Sequence, residues 1–281
     1  MSDDVSVLIT FELAPEYVNQ IWAVDPRVEV LYEPGLVGRP RFACDHLGPI
    51  HRTPEQEARW LSFLARSEVL FGLDPSHYDD LLQLTPRLRW IQSTSAGVGQ
   101  RARSLGLTEA DVVLTTASGI HAAALAEFCL MSMLMFVKDA FRIAAGQKRK
   151  YWERYAGAEL WGKTLAVIGL GSIGREVARV GRCLGMRAIG TKRTTEGVDP
   201  ESLGVEALYA WTDLGSMLAE ADFVVVSCPL TLQTEGLLGS VELAAMKQGS
   251  VLINIARGAI VDEPALIRAL RLGHLGGAAL D

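Results

Sequence analysis

The sequence lacks the features that mark several classes of protein. Its four cysteines lie far apart and form no CxxC pair, which is typical of a protein in a reducing cytoplasm rather than of a disulfide framework or a zinc site. The most apolar stretch, residues 122–137, is short for a bilayer span and contains Glu127. The acidic start shows no signal peptide, so we expect a cytoplasmic protein without a metal site.

An excess of positive charge is also absent. The formal net charge is −6, which argues against general electrostatic binding to nucleic acid or to an anionic membrane. Hydrophobic residues make up 49% and charged residues 21%, the composition of an ordinary globular protein, and 281 residues are enough for two domains. The local basic run at residues 148–150 is more typical of a solvated loop or a subunit contact.

Apolar runs and helical patterns alternate along the first 115 or so residues. Strands are predicted at residues 5–9, 28–32, 68–72, 89–93 and 112–115, and helices at 15–22, 54–65 and 76–84. This alternation predicts a mostly parallel sheet that helices cover on both faces. Residues 119–145 are then predicted to form one long helix with little polar surface.

A second α/β pattern begins at Lys163. Strands are predicted there at residues 165–170, 187–190, 207–210, 223–227, 250–254 and 275–280. Six strands are what a complete doubly wound dinucleotide-binding sheet requires. We therefore divide the chain into domains at 1–117 and 118–281.

The strongest local signal is a glycine motif after the first strand of the second domain. Gly169, Gly171 and Gly174 follow an apolar strand and open a helix, which is the context of a Rossmann dinucleotide-binding turn. The first glycine permits the turn, the second lets the backbone approach a pyrophosphate, and the third lets helix and strand pack closely. Ser172 and Ile173 would add free N–H groups for the phosphates. The alternative is a glycine-rich turn without a ligand.

The end of the next strand indicates which dinucleotide binds. An NAD-preferring site usually carries an acidic residue about 20 residues past the glycines. Here Thr191, Lys192 and Arg193 occupy that region, and no carboxylate is present. The two bases would neutralise a 2′-phosphate, with Thr191 or Thr194 as a hydrogen-bond donor. We therefore expect NADP(H), and NAD(H) stays open if the bases are only exposed loop charges.

Three more segments, taken with the glycine motif, resemble one enzyme family. They are CPLTLQT at 228–234, NIARGAIVD at 254–262 and GAALD at 277–281. Their order and spacing resemble those of the D-isomer-specific 2-hydroxyacid dehydrogenases, and the NADP preference resembles that of the glyoxylate/hydroxypyruvate reductases. In the first domain, Ser95, Ala96, Gly97 and Val98 resemble the family's substrate-carboxylate loop. The similarity spans nearly the whole chain.

The resemblance implies a fold and a division of roles. It implies two doubly wound parallel-sheet domains, a flavodoxin-like substrate domain and a Rossmann NAD(P)-binding domain. Arg257 would bind the carboxylate of a small 2-oxo or 2-hydroxy acid and polarise the 2-oxo group, while the 95–98 loop would hold the same carboxylate. Hydride would pass between the nicotinamide and substrate C2. The residues implied at the cofactor are Cys228, Pro229, Thr234, Ala256 and Asp281, the last at the carboxamide.

The same resemblance implies a glutamate and a proton-exchanging histidine beyond the position of Asp281. The chain ends there, so we expect a fragment whose first domain lacks its returning C-terminal segment. Among the histidines present, His121 at the start of the long helix is the least implausible substitute. His274 precedes the sixth strand at the wrong edge, and the others, His46, His51 and His77, are expected to be exposed or to cap turns.

Other functions stay open at this point. A non-catalytic NAD(P)-binding sensor or corepressor-like module would not need the missing residues, although it would not need Arg257 either. An NAD-linked dehydrogenase of another acid, or an oxidiser of an inorganic oxyanion, would share the motifs. A purely structural oligomer has little support. The apolar helix 122–137 and the polar, aromatic arm 147–155 do predict a homodimer.

Overall fold

The computed structural model of the chain describes residues 4–42, 45 and 48–281, and for Gln100 the backbone only. Expectations that concern Cys44 and His46 therefore lie outside the described residues. The chain divides into two compact units, Met1–Ser118 and Gly119–Asp281. The roles of substrate domain and cofactor domain for these two units remain predictions.

A five-stranded parallel sheet forms the centre of the first unit, in the order β2-β1-β3-β4-β5. This is the flavodoxin-like strand order that the resemblance implied. The predicted strands are confirmed to within one residue at each end. The elements are β1 (Val5–Ile9), α1 (Pro15–Trp22), β2 (Val28–Leu31), α2 (Pro54–Arg66), β3 (Val69–Phe71), α3 (Leu81–Leu84), β4 (Trp90–Gln92), α4 (Gly99–Ser104) and β5 (Val113–Thr115).

Helix α2 shows how local sequence sets the packing of this unit. Thr53 and Gln56 form a reciprocal capping box, and Pro54 occupies the first helical position. The helix then buries Trp60 and Leu64, four residues apart, in one core with apolar residues of the central strands such as Leu70. The Nε1 atom of Trp60 donates a 2.8 Å hydrogen bond to the fully buried Asp74.

The predicted helix 76–84 is shorter than expected, because only Leu81–Leu84 is helical. Upstream, the Asp74 carboxylate accepts hydrogen bonds from the backbone N–H and the hydroxyl of Ser76. Such local bonding offers the backbone a turn instead of a helix. His77 is also buried more than expected, with a side chain 19% exposed between Glu57 at 2.7 Å and Asp80 at 3.2 Å.

A six-stranded parallel sheet forms the second unit, in the order β11-β10-β9-β6-β7-β8. This is the complete doubly wound order of a Rossmann domain, as predicted. Its strands match the predicted ones to within two residues at each end. The elements are α5 (Ala122–Val137), α6 (Ala140–Lys148), β6 (Thr164–Ile168), α7 (Ser172–Cys183), β7 (Arg187–Thr191), β8 (Ala207–Tyr209), α8 (Leu214–Glu220), β9 (Phe223–Val226), α9 (Ser240–Ala245), β10 (Val251–Asn254), α10 (Glu263–Arg271) and β11 (Gly277–Leu280).

Both faces of this sheet are covered, as apolar strands require. Every residue of β6 and β9 is buried. On one face Cys129 and Met133 of α5 share a core with Val177 and Ala178 of α7, and the second face packs against α8, α9 and α10. The sheet is therefore rigid where β6 hydrogen-bonds to both β7 and β9.

The prediction of one helix over residues 119–145 is wrong. Two helices, α5 and α6, meet at Asp139, which has the left-handed backbone angle φ of +54°. A left-handed residue cannot continue a right-handed helix, and the Asp139 carboxylate instead pairs with Arg142 one turn further on. No helix within the described ranges is long and apolar enough to cross a bilayer.

We predict that His77→Gln removes a pH-dependent part of the stability of the first unit. Desolvation lowers the pKa of His77, but the hydrogen bond with Glu57 and the charges of Asp74 and Asp80 raise it more, so the net shift is upward. A raised pKa gives stability that is fully present below the unfolded-state value of about 6.5 and is lost as the pH rises through the folded value.

The measurement is urea unfolding of the wild type and the variant across a pH series. The difference in free energy of unfolding should be largest near about pH 6 and should shrink toward about pH 8. His51→Gln, at an exposed position, is the control and should show no such trend. A difference that stays constant with pH would contradict the ion-pair role of His77.

Candidate active site

The candidate cofactor site lies at the carboxyl edge of the sheet in the second unit. In an open parallel sheet, ligands bind where the chain order reverses, beyond the carboxyl ends of the strands. Here the reversal falls between β6 and β9, since β7 continues the sheet on the other side of β6. The turns that follow β6, β7, β9 and β10 contain most of the predicted cofactor residues.

The three motif glycines have different surroundings. Gly169 has φ +101°, and a Cβ there would lie 2.6 Å from the backbone nitrogen of Cys228. A Cβ at Gly174 would collide with the carbonyl oxygen of Gly169, so α7 and the end of β6 pack too closely to admit a side chain at this position. Around Gly171, in contrast, no atom lies within 4 Å of the Cβ position. The turn is thus tightly packed at Gly169 and Gly174, whereas space is left beside Gly171.

The start of α7 presents free hydrogen-bond donors. The first backbone N–H groups of a helix have no partner inside the helix. No side chain caps this helix, and the N–H groups of Gly171, Ser172 and Ile173 donate to nothing in the part of the chain that the structure describes. Donors of this kind, together with the positive end of the helix dipole, suit an anion such as a phosphate.

The end of β7 carries the residues predicted to choose the dinucleotide. Thr191 is fully buried, and its hydroxyl has no hydrogen-bond partner among the described residues. Lys192 is half-buried and Arg193 is exposed, and within the same residues neither forms an ion pair. These two cations are therefore available to a ligand, while the contact of Thr191 with it remains a prediction.

The loop after β9 is organised by its own polar side chains. The Thr234 hydroxyl donates to the carbonyl oxygen of Pro229 and accepts from the backbone N–H of Thr231, both at 2.7 Å. It therefore shapes the loop, and its predicted contact with a cofactor is untested. Burial raises the pKa of the Cys228 thiol to about 11. The thiol is therefore protonated near pH 7 and does not act as a thiolate in this turn.

The turn after β10 places Arg257 at the edge of the sheet. The side chain of Asn254 accepts from the backbone N–H of Ala256 at 2.9 Å and donates to the carbonyl oxygen of Arg257 at 3.0 Å. Arg257 is exposed and forms no ion pair in the described part of the chain; its guanidinium donates only to the Ala256 carbonyl. The backbone N–H of Asp281 donates to the carbonyl oxygen of Asn254, which fixes the end of β11 beside this turn.

Two residues that hold this geometry were not predicted as part of the site. Asn254 anchors the turn that carries Arg257, and the hydroxyl of Ser227 donates to the carbonyl oxygen of Gly169 at 2.8 Å. The tendency of asparagine to bond the backbone two residues further on was visible in the sequence. The Ser227 contact was not, because it joins positions 58 residues apart.

In the first unit, the predicted carboxylate loop follows β4. Ser95, Ala96 and Gly97 are exposed and Val98 is buried. The N–H of Ser95 donates to the Ser93 hydroxyl at 3.1 Å, whereas those of Ala96, Gly97 and Val98 donate to no group among the residues described. Three successive free N–H groups form a suitable binding surface for a carboxylate.

Comparison with known proteins gives consistent matches. The family model described as D-isomer specific 2-hydroxyacid dehydrogenase, NAD binding domain, matches residues 130–281. A D-3-phosphoglycerate dehydrogenase of Methanocaldococcus jannaschii is 33% identical over 204 residues, which are 72% of this chain and 38% of that protein. A glyoxylate reductase of Aeropyrum pernix is 33% identical over 234 residues, which are 79% of this chain and 68% of that protein.

A solved structure matches both units. It is a D-isomer specific 2-hydroxyacid dehydrogenase from Xanthobacter autotrophicus Py2 in complex with NADPH and MES, 26% identical with a TM-score of 0.74. The match covers 99% of this chain and 80% of that one. These matches confirm the resemblance drawn from the motifs, although the chain spans less than two thirds of the D-3-phosphoglycerate dehydrogenase.

We predict different costs for alanine at two glycines of the turn. Gly174→Ala should lower the free energy of unfolding by about 1–3 kcal/mol, because the new Cβ overpacks a closed contact. Gly171→Ala should lower it by less than about 1 kcal/mol, because its Cβ would point into open space and only the poorer N-cap preference of alanine counts against it. Urea unfolding measures both variants. Equal losses would show that the close packing is not specific to Gly174.

Proposed function

Because the chain belongs to the D-isomer specific 2-hydroxyacid dehydrogenase family, we propose that its protein transfers a hydride between NADP(H) and a small 2-oxo or 2-hydroxy acid of the D series. The observation that carries this proposal is Arg257, which has no ion-pair partner among the described residues and whose turn Asn254 holds at the same sheet edge as the open glycine turn. The open glycine turn suits the phosphates of a dinucleotide, and the turn that carries Arg257 suits a carboxylate.

The residues present fit a dinucleotide. The free N–H groups of Gly171, Ser172 and Ile173 would bind the pyrophosphate, and the open space at Gly171 admits it. The loop of Cys228, Pro229 and Thr234, the turn at Ala256, and Asp281 would line the rest of the cofactor. When bound, the cofactor supplies or accepts a hydride at its nicotinamide ring.

A preference for NADP(H) follows from the charges at the end of β7. Lys192 and Arg193 have no acidic partner among the described residues, and neither they nor Thr191 offers a carboxylate to a ribose 2′-hydroxyl. A 2′-phosphate would neutralise these cations through charge-assisted hydrogen bonds. Related structures contain NADPH in one case and NAD in another, so the proposed preference rests on the charges of this chain.

Residues of both units would bind and orient the substrate. The guanidinium of Arg257 would bind the substrate carboxylate through two parallel hydrogen bonds and would polarise the 2-oxo group. In the first unit, the free N–H groups of Ala96, Gly97 and Val98 would fix a substrate carboxylate in place. Asn254 acts through the turn it anchors and is a positioning residue.

The test begins with the dissociation constants of NADPH and NADH, measured by fluorescence on the 281-residue chain. NADPH should bind at least about tenfold more tightly, and the combined variant Lys192→Ala, Arg193→Ala should abolish this preference. Arg268→Ala, which removes a positive charge from α10, is the control and should leave the preference unchanged. Equal or tighter binding of NADH by the wild type would contradict NADP(H) specificity.

The same samples are then assayed for NADPH oxidation with glyoxylate, hydroxypyruvate and pyruvate. Turnover that Arg257→Ala abolishes would support the enzyme. Tight NADPH binding without turnover would favour a non-catalytic dinucleotide-binding module, unless a longer chain restores the activity.

We also propose that the protein is a homodimer, joined through α5, α6 and the arm that follows. Large apolar side chains are exposed there without cover: Met131 is 50% exposed, Phe141 63%, Ile143 50% and Trp152 82%. One side chain of the arm contacts the end of α5, since the Tyr155 hydroxyl donates to the carbonyl oxygen of Lys138 at 2.6 Å. Several large exposed apolar side chains on neighbouring elements are typical of a protein interface.

Sedimentation velocity tests the dimer. The wild type should have twice the 30.5 kDa mass of the chain, and Phe141→Asp should have the mass of one chain, because a buried aspartate without a partner is unfavourable. Leu272→Asp places the same charge at another exposed apolar position and should remain a dimer. A wild type of monomeric mass would refute the proposal.

A further inference from the structure

The first unit contains a small cavity at the carboxyl edge of its sheet. The cavity has a volume of about 120 Å³, and residues that follow β1, β3 and β4 line it, among them Phe11, Leu73 and Ser95. A Cβ at Gly72, which has φ +92°, would collide with the Thr10 hydroxyl oxygen, so glycine keeps this edge compact. The space suffices for several non-hydrogen atoms, since one water needs about a tenth of it.

Two polar side chains at this cavity lack a hydrogen-bond or ion-pair partner among the described residues. Tyr78 lines it, and the hydroxyl of Tyr78 is buried without a hydrogen-bond partner in the described part of the chain. Arg101 of α4 also lines it, with its guanidinium 5.0 Å from the centre of the Tyr78 ring. Within residues 4–42, 45 and 48–281, no carboxylate lies within ion-pair distance of Arg101. A buried hydroxyl such as that of Tyr78 normally has a hydrogen-bond partner, and the exposed guanidinium of Arg101 lies at the same cavity.

We propose that this cavity binds a second anionic group of the substrate, so that the preferred 2-oxo acid is a dianion and Arg101 and Tyr78 determine that specificity. This inference rests on the proposed function, because it takes the adjacent 95–98 loop as the binding surface for the first carboxylate. Ser95 and Val98 line the same cavity, so a substrate held by the loop would extend its substituent into it.

The chemistry of the two side chains favours an anion over an apolar substituent. A guanidinium placed over an aromatic ring, as Arg101 is over Tyr78, still has N–H groups to donate, which suits a carboxylate or a sulfonate. The Tyr78 hydroxyl would donate a second hydrogen bond. The apolar walls at Phe11, Leu73 and Val98 exclude water from one side and so strengthen the attraction.

The experiment compares D-malate with D-2-hydroxybutanoate, which have the same carbon chain but differ in the second carboxylate. Calorimetric titration of each acid into the 281-residue chain with saturating NADPH gives binding without turnover. D-malate should bind at least about tenfold more tightly. Arg101→Met should reduce this ratio to about one, and Tyr78→Phe should reduce it by about threefold.

Arg103→Met is the matched control, because Arg103 lies on the same helix but does not line the cavity. It should retain the wild-type ratio. If Arg101→Met weakens both acids equally, or if the wild type shows no preference or binds no D-malate, the inference is wrong. Circular dichroism confirms that each variant is folded. NADPH affinity, measured in the same samples, reports separately on the proposed function and should not change in Arg101→Met.

Discussion

Parallel strand pairing is the constraint on which the candidate sites depend. In each unit every strand runs in the same direction, so every connection after a strand emerges at one edge of its sheet. In the second unit, this common direction places the glycine turn, the basic end of β7 and the turn of Arg257 at the same edge of the sheet. Gly169 and Arg257 are more than 80 residues apart along the chain. In the first unit the same rule brings the 95–98 loop beside the cavity at Tyr78. Strand direction therefore decides where each candidate site lies, and the side chains of the turns decide what it can bind.

Buried or half-buried polar side chains then give these turns a defined shape. Asn254 bonds to two backbone groups, Thr234 closes the loop after β9, and Ser227 holds the carbonyl of Gly169. Asp74 has a comparable role beneath Trp60 in the first unit. None of them needs to touch a ligand. Because each has its hydrogen bonds satisfied inside the protein, the turns do not have to reorganise when a ligand binds, and this lowers the entropic cost of binding.

Much of the fold was predictable from the sequence, because apolar runs bounded by turn residues mark buried parallel strands clearly. The errors have local physical causes. The helix break at Asp139 was missed because one aspartate is not a breaking signal of its own, although aspartate adopts the left-handed conformation more readily than most residues. The short α3 follows from the bonds of Asp74 to Ser76, a turn chemistry that helical spacing does not reveal. The cavity beside Arg101 was beyond prediction, because it joins loops that only the folded sheet brings together. The glycine turn was predicted well because each glycine meets a steric requirement that is purely local.

The burial of Cys228 has a consequence for the chemical robustness of the glycine turn. The backbone and Cβ of Cys228 pack against Gly169, and burial raises the pKa of its thiol to about 11, so the side chain is uncharged near pH 7. A thiolate at this position would repel an anion at the start of α7 and would be the form that oxidants attack. Burial removes both liabilities together. The candidate anion-binding turn therefore contains a sulfur atom that adds no negative charge near pH 7 and reacts slowly with oxidants, because it is held as the thiol.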